Sequence, residues 1–584
     1  MKKRSLFFLL VSCNFLIFAQ EADSVIELPE VTTYIPSQES DSFFEITSDK
    51  IEKTTATSIP ELLQQEGFLV MNTGGKGAAT NVSIAGYAAF CIRVFVDGIL
   101  ANNPLTGEFD WNSIPLADIK SIKIQHYPSD SPEFSGAVVL ITTRLHEVKS
   151  TEITLSSKSY AGSLGDELFA SLRHLNAGKI FGYELNCSLD KADNYFKLKN
   201  NESFYGNESN SENLDLRLWR YIGNWLADIS VKEMFNQIEI KNPILVANEL
   251  GTEKDFWLFP QLLLKNAITG TSITASYRLS SVYYNYEKTI NGNVNSYEEI
   301  NNAHVWFEEV KQEFKSANLS VAVSATQEAK FETSNSRNQL RLFSAWAPSY
   351  KDFNFNVQMN LLFVPEYNLF QPVPSLSANW KWITLSAYRQ LILPTFNQLY
   401  YAGSGGRGNP DLKPEEGWGT TLELKPVSFI SFIYQLTYYQ DKIRWENGSF
   451  YNTTHGVFNY FEVISAYSWK YFEYNLRLQY TRATLPDGNQ IMWVPFWQSN
   501  GQFTLKVYPF RYSLLFTYCG ERPVSNINAT YYPAYLLIGL NFSVEIKKAT
   551  FKFAIDNLLD ERFVYHENYP APSRSVTASV NVKL

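Results

Sequence analysis

From about residue 150 onward, apolar and polar side chains alternate one for one in segment after segment. Ile430, Phe432, Tyr434, Leu436 and Tyr438 are opposed by Ser431, Gln435 and Thr437, with Ile433 the exception. Tyr474, Leu476, Leu478 and Tyr480 alternate with Asn475, Arg477, Gln479 and Thr481, and Leu536, Ile538, Leu540, Phe542 and Val544 with Gly539, Asn541, Ser543 and Glu545. A period of two belongs to strands, whose successive side chains point to opposite faces. In a soluble sandwich the wet face is rich in Lys and Glu and the inner face is aliphatic. Here the wet face is mostly Ser, Thr, Asn and Gln, and Tyr and Phe crowd the other. With 35 Tyr and 41 Phe in 584 residues, the pattern fits strands whose apolar face meets lipid and whose aromatics mark the membrane interfaces.

The arithmetic supports a closed barrel. Roughly 435 residues follow the first 150, and a strand with its share of turn and loop takes about 20, so on the order of 22 antiparallel strands fit. Val576, Ala578, Val580, Val582 and Leu584 share one face of the last segment. That segment must pair with the first strand, because a barrel in lipid can leave no open edge.

The other end of the sequence gives the compartment. Lys2, Lys3 and Arg4 precede an apolar stretch from Leu6 to Phe18, closed by Ala19 and followed by Gln20, Glu21 and Asp23, which reads as a cleaved secretory signal over residues 1–19. Leu10-Val11-Ser12-Cys13 also matches a lipid-attachment box, but the residues after it, Phe15 to Phe18, are still apolar where an anchored chain turns polar. Nothing downstream reaches the ~18 consecutive apolar residues of a spanning helix. Beyond the signal, Cys91, Cys187 and Cys519 are odd in number and far apart, so they specify neither a disulfide framework nor a metal site. The net charge of −9, with no basic cluster, argues against nucleic acid.

Residues 20–44 are acidic, polar and Pro-interrupted, and read as a mobile segment. Residues 45–146 read as a small α/β unit, and residues 147–584 as the barrel. Within the α/β unit, Ser58 to Gln65 is a short capped helix with Pro60 near its start and Gly67 after its end. Strands are expected at Asn81 to Ile84, Ile92 to Val96, Ile119 to Ile124 and Val138 to Thr142, with a turn at Asp97-Gly98.

Three stretches, in order, resemble the TonB-dependent receptors. Val82 to Gly86 and Val94 to Pro104 (VFVDGILANNP) are similar to that family's plug, with Phe109-Asp110-Trp111 and Ile114-Pro115 continuing the match. Arg389 to Tyr400 (RQLILPTFNQLY) and Gly408 to Glu415 (GNPDLKPE) resemble its barrel signature, and Asn557 to Asp560 with Tyr569 to Arg574 its C-terminal one. The sequence departs from the family at Gln125 to Gly136, where the usual Arg-Gly pair is missing, and at Ala85 and Ile392, which stand where the family has Arg. Plug arginines of such receptors would pair with wall carboxylates, so their loss implies a looser or differently held plug.

The resemblance implies an all-β transmembrane barrel with the α/β unit as a plug in its lumen. It further implies an outer-membrane location in contact with lipid, and a monomer. It places an energy-coupling box at Glu30, Val31, Thr32 and Thr33, which would add as a strand to a TonB-type periplasmic partner. Ligand contact would fall on the plug apices: Asn72 to Asn81, Tyr87 to Phe90 and Asn102 to Glu108. Gly75, Lys76, Tyr87, Phe90, Asn102, Asn103 and Thr106 are the candidate residues, with packing against the wall the competing reading for Tyr87 and Phe90. The run Gly74-Gly75-Lys76-Gly77 lacks the GK[ST] ending and following helix of a phosphate cradle.

No cofactor or metal is expected. The histidines (His126, His146, His174, His304, His455, His566) are isolated, and none lies between Pro394 and Asn409, where haem-binding members of the family carry one. The stretch Asn200 to Asp215, with Glu202, Glu208, Glu212 and Asp215, could hold Ca²⁺ but reads better as a solvated acidic loop. No Ser/His/Asp arrangement or catalytic carboxylate pair is found. The expected function is energised import of a scarce small nutrient complex, cobalamin-like or iron-siderophore-like. The competing reading is a plugged barrel that binds at the surface without transport, and a passive porin is disfavoured because it has no use for a plug.

Overall fold

A computed structural model describes residues 43–584, apart from 126–135, 144–148, 161–164, 179, 198–203, 206, 242–248, 291–292, 332–334, 404–405, 447 and 567–568. The coupling segment Glu30 to Thr33 and most of the divergent stretch Gln125 to Gly136 lie outside the described residues.

The plug is built on a five-stranded sheet of β1 (Phe43–Ile46), β4 (Ile92–Val96), β5 (Ile99–Leu100), β6 (Ile119–Gln125) and β7 (Ala137–Thr143), in the order β1-β6-β7-β4-β5. Only β4 and β7 run parallel. Its first strand opens at Phe43, two residues ahead of the boundary read from sequence. Two helices, α1 (Ser48–Lys53) and α2 (Ile59–Gln65), pack near it. Ser58 caps α2 by accepting from the Glu61 N–H, and Gly67 leaves the helix with φ +84°. A second pair, β2 (Leu69–Asn72) and β3 (Thr80–Ser83), carries the Gly-rich apex. Asp97 and Gly98 turn with φ +50° and +85°, and the Asp97 carboxylate accepts from both the backbone and hydroxyl of Thr143 at 2.9 and 2.7 Å.

Around the plug closes a barrel of 22 antiparallel strands. It opens with β8 (Ser150–Tyr160) and β9 (Glu167–Ala177), and its last strand, Ser575–Lys583, pairs with β8 from Ser575 opposite Tyr160 to Lys583 opposite Glu152. The expected alternation holds, and the filled lumen makes its inner face the buried one. Gln435 and Thr437 are 1% and 0% exposed, whereas Tyr434 and Tyr438 are 41% and 43% exposed. Ile433 shares the inner face and is buried, which is why it broke the pattern. Tyr474 and Tyr480 lie on the outward parity with exposed Leu478, while Arg477, Gln479 and Thr481 face the lumen. Tyr434, Tyr438, Tyr474 and Tyr480 therefore all face outward, toward lipid.

Short turns join the strands at the end where β8 begins, as on the periplasmic side of such barrels. Hairpins at the other end are taller. The strands Thr271–Ile290 and Asn293–Phe314 have 20 and 22 residues, about twice what spanning requires, so they rise well past the membrane.

The acidic stretch near residue 210 is corrected by the structure. Ser209 opens a wall strand that runs to Ile222, so Glu212 and Asp215 sit on opposite faces of a strand, and Asp215 is engaged by Lys232 inside. Side chains on opposite faces cannot converge on one ion, and among the described residues no cluster of ligand-type side chains could hold a metal.

Candidate functional site

The plug apices meet the barrel near its mouth, and each is fixed there by the wall. At the first, Asn194 accepts from the Lys76 N–H at 2.9 Å and donates to the Lys76 carbonyl at 2.9 Å. Ser209 donates to the same carbonyl at 2.8 Å, and Asn236 to that of Gly77 at 2.8 Å. Gly75 has φ +97°, and a Cβ there would stand 2.5 Å from the Asn194 side chain, so only glycine permits the approach. The Lys76 ammonium lies 2.7 Å from Asp190 and 3.6 Å from Glu167. Burial alone would lower its pKa, but Asp190, Glu167 and Glu61 outweigh that and raise it. Lys76 is thus committed to the wall.

Tyr87 is 1% exposed and packs flat on Phe458. Burial, then the neighbouring Tyr388, pushes its pKa up. Phe90 is half-buried, with the Lys442 ammonium 5.9 Å from its ring centroid. Of these two aromatics, Phe90 keeps accessible surface.

Asn102 organises the third apex from within. It accepts from Val94 N–H and donates to the carbonyls of Ile92 and Gly107, each at 2.8 Å. Asn103 accepts from Leu105 N–H at 2.9 Å, and Thr106 alone in the turn is exposed. Beside them burial pushes the Glu108 carboxyl up to about 7 and raises that of Asp110. Of the residues singled out from sequence, Phe90, Asn103 and Thr106 offer surface to a ligand, and Gly75, Lys76, Tyr87 and Asn102 hold the apices in place.

An element that sequence reasoning did not anticipate covers this third apex. After Leu393 the chain folds inward as α3 (Phe396–Tyr400), closed by a capping box between Thr395 and Gln398. Phe396 N–H donates to the Pro104 carbonyl at 3.1 Å and Asn397 N–H to that of Leu105 at 2.9 Å. Phe396 and Leu105 bury each other, and the Arg337 guanidinium lies over the Phe396 ring at 5.3 Å. A Cβ on Gly107 would meet Thr395 at 2.7 Å.

Residues 36–137 match the family model of the TonB-dependent receptor plug domain. A stretch of 103 residues is 32% identical to the vitamin B12 transporter BtuB of Vibrio cholerae, covering 17% of each chain. That match spans about a sixth of the relative's length. The BtuB of Photobacterium profundum is 21% identical over 438 residues, covering 68% of this chain and 66% of that one. The fold as a whole superposes on the siderophore receptor PirA from Acinetobacter baumannii with a TM-score of 0.77 at 14% identity, covering 93% and 98% of the two chains. It superposes similarly on a mutant of the ferric enterobactin receptor PfeA from Pseudomonas aeruginosa in complex with enterobactin, with a TM-score of 0.75 at 13% identity over 94% and 100%. The chain thus carries the plug domain of the TonB-dependent receptors inside a barrel of their fold.

The receptor sits in the outer membrane, and it holds its plug with the charges largely reversed. Lys76 aside, the cations that follow come from the wall. Arg278 donates to the carbonyls of Leu100, at 2.7 Å, and Asn102. Arg477 donates to the Glu66 carbonyl at 3.2 Å while its guanidinium stacks over Phe68 at 4.2 Å. Lys552 donates to the Thr54 carbonyl at 2.8 Å, and Lys158 binds Glu61 at 2.6 Å. Burial would raise the Glu61 carboxyl, but Lys158 and Lys76 together hold it down at about 2. The missing family arginines therefore mark a differently held plug. Ala85, at one of those positions, instead forms a tight turn with φ +51° that brings Tyr87 back against Ile84.

Proposed function

We propose that the receptor imports a scarce small nutrient complex, cobalamin-like or iron-siderophore-like, by a plug rearrangement driven from the periplasm. The observation that carries this reading is the filled lumen, in which the plug is clamped to the wall from the Thr54 carbonyl up to its apices. A ligand shifts such an equilibrium only by the difference in its affinity for the two states, typically about 1–3 kcal/mol of coupling. Each hydrogen bond from a charged wall group is worth about 1.5–3 kcal/mol net. Parting several of them exceeds what ligand binding supplies, so work must come from outside.

The segment Glu30 to Thr33, with its β-branched Val31, Thr32 and Thr33, is the handle: it adds as a strand to the sheet edge of a TonB-type periplasmic partner. The ligand meets Phe90, Asn103 and Thr106 at the mouth. Relatives named as vitamin B12 and siderophore receptors support a metal-bearing complex as cargo.

Val31→Pro tests the reading, because proline removes a backbone donor and restricts Glu30 before it. With radiolabelled cyanocobalamin and a panel of ferric siderophores, the probe that wild-type cells accumulate should still bind to cells carrying the variant. Its uptake should fall to that of a strain lacking the energising partner. Undiminished uptake would replace this reading with that of a surface binder.

A further inference from the structure

Where α3, the third apex of the plug and the wall come together, a small cavity is left between them. Arg93 and Asn103 bound it from the plug, Thr395 from the cap of α3, and Glu328, Arg337 and Arg341 from the wall. One face of it is apolar, formed by Leu362, Leu391 and Leu393 of a single buried cluster. Its volume is about 40 Å³. A water needs roughly 10–15 Å³ by the same measure, so the cavity has room for about three waters or for one carboxylate or phosphate group, and none for a whole nutrient complex.

The charges that line it do not balance. Three guanidinium groups stand against a single carboxylate, that of Glu328. Glu328 is engaged by Arg337, which donates to it through two nitrogens at 2.6 and 2.7 Å, and by Gln339 at 3.0 Å. Arg337 also donates to the Pro394 carbonyl at 2.7 Å and lies over Phe396, so it anchors α3. Arg341 donates to Gln339 at 2.6 Å, and Arg93 to the Phe90 carbonyl at 3.2 Å. Arg337 and Arg341 are 5% and 7% exposed, and Arg93 is half-buried.

Excess charge is costly to bury, and most ionisable groups escape the cost by shifting their pKa and becoming neutral. Arginine cannot, because its guanidinium stays protonated in proteins. What can neutralise such a cavity is an anion from outside, and the guanidinium fork presents its donors in the geometry that carboxylate and phosphate oxygens accept. The apolar face excludes water from one side of that anion, which strengthens its attraction to the guanidinium groups.

We propose that the cavity is a site for one small oxyanion, a phosphate or carboxylate group, held by Arg93 from the plug and Arg341 from the wall. The bound group bridges the third apex and the wall beside α3, and so stiffens their junction. Two sources carry this chemistry: a free ion, or an anionic arm of the cargo that reaches past Asn103, which lines the cavity and also offers surface at the mouth. The second source rests on the import reading; the site itself does not.

The test is equilibrium dialysis of radiolabelled phosphate and acetate against the purified full-length receptor in detergent at low ionic strength. Wild type should bind phosphate saturably, one per chain. Arg341→Met and Arg93→Met should each weaken binding at least tenfold. Arg341→Lys, which keeps the charge and loses the fork, should weaken it less, and Arg407→Met, at an exposed arginine elsewhere, should leave it unchanged. Hydrogen exchange locates the ion: phosphate should slow exchange across residues 99–108 and 393–400 in wild type and not in Arg341→Met. Heat-dependent gel mobility verifies that each variant is folded. The probe that wild-type cells accumulate, cyanocobalamin or a ferric siderophore of the panel above, separates the two sources, because an anionic arm displaces the phosphate and a free ion stays bound beside the probe. No saturable binding of either anion to folded wild type, or binding that survives both changes to Met, would overturn the assignment. The titration uses neither the cargo nor the energising partner, so this site and the import reading can fail separately.

Discussion

Tyr87 of the plug lies flat on Phe458 of the barrel wall, ring centroids 5.2 Å apart and planes 8° from parallel. Its hydroxyl reaches Thr437 at 3.1 Å and accepts from Gln435 at 3.1 Å. Tyr87→Phe should cost about 1 kcal/mol through the lost hydrogen bonds, and Tyr87→Ala about 3–5 kcal/mol through the cavity left behind. Thermal unfolding in detergent, with trypsin cleavage of the plug as the readout, gives the order wild type, Phe, Ala.

Arg278 is a wall residue whose guanidinium serves the plug backbone. Arg278→Met leaves the Leu100 and Asn102 carbonyls without their buried donor, at about 1–3 kcal/mol per group. Hydrogen exchange should quicken across residues 99–108 and leave α2 unchanged.

Glu61 and Lys158 should couple. Either single change to an apolar residue leaves an unpaired charge between plug and wall, at a cost of up to about 3–5 kcal/mol, and the double change should cost less than the sum. Because the folded Glu61 carboxyl is held at about 2, below its ordinary value of 4.5, its contribution is complete above pH 4.5 and lost as the pH falls toward 2. Glu61→Gln should flatten that part of the acid-unfolding curve.

Glu108 has the opposite sign. Burial raises its carboxyl to about 7, so the folded state holds the proton more tightly than the unfolded state does. Plug stability from this group is present below about pH 4.5 and lost as the pH rises through 7. Melting temperatures between pH 5 and 8 should fall less steeply for Glu108→Gln than for wild type.

The wall was legible because its signal is local: Tyr434, Leu436 and Tyr438 declare their face by spacing alone, and α2 by Ser58 and Pro60. Residues whose role is set by distant partners were not legible. Lys76 reads as an exposed apex until Asp190 and Asn194 are brought to it, and Asp215 as a loop carboxylate until Lys232 appears on the next strand. Nothing near Pro394 signals that the following helix reaches back to Pro104, since the bond uses main-chain groups that any sequence carries. The Asn102 side chain was chosen for its place on an apex, but its amide is spent on the loop's own backbone.

The pairing of Ser575–Lys583 with β8 constrains the order of assembly. The other wall neighbours follow one another in sequence and can zip up as hairpins, whereas this pair joins the first wall strand to the last and carries the longest loop-closure entropy in the molecule. Until it forms, the growing wall is an open sheet with two sticky edges. The plug precedes the whole wall in the chain, so it can be wrapped sideways by the curling sheet and need never be threaded through a finished ring. The last seam to be sealed during biogenesis is thus the one beside the start of the plug, where Lys583 meets Glu52.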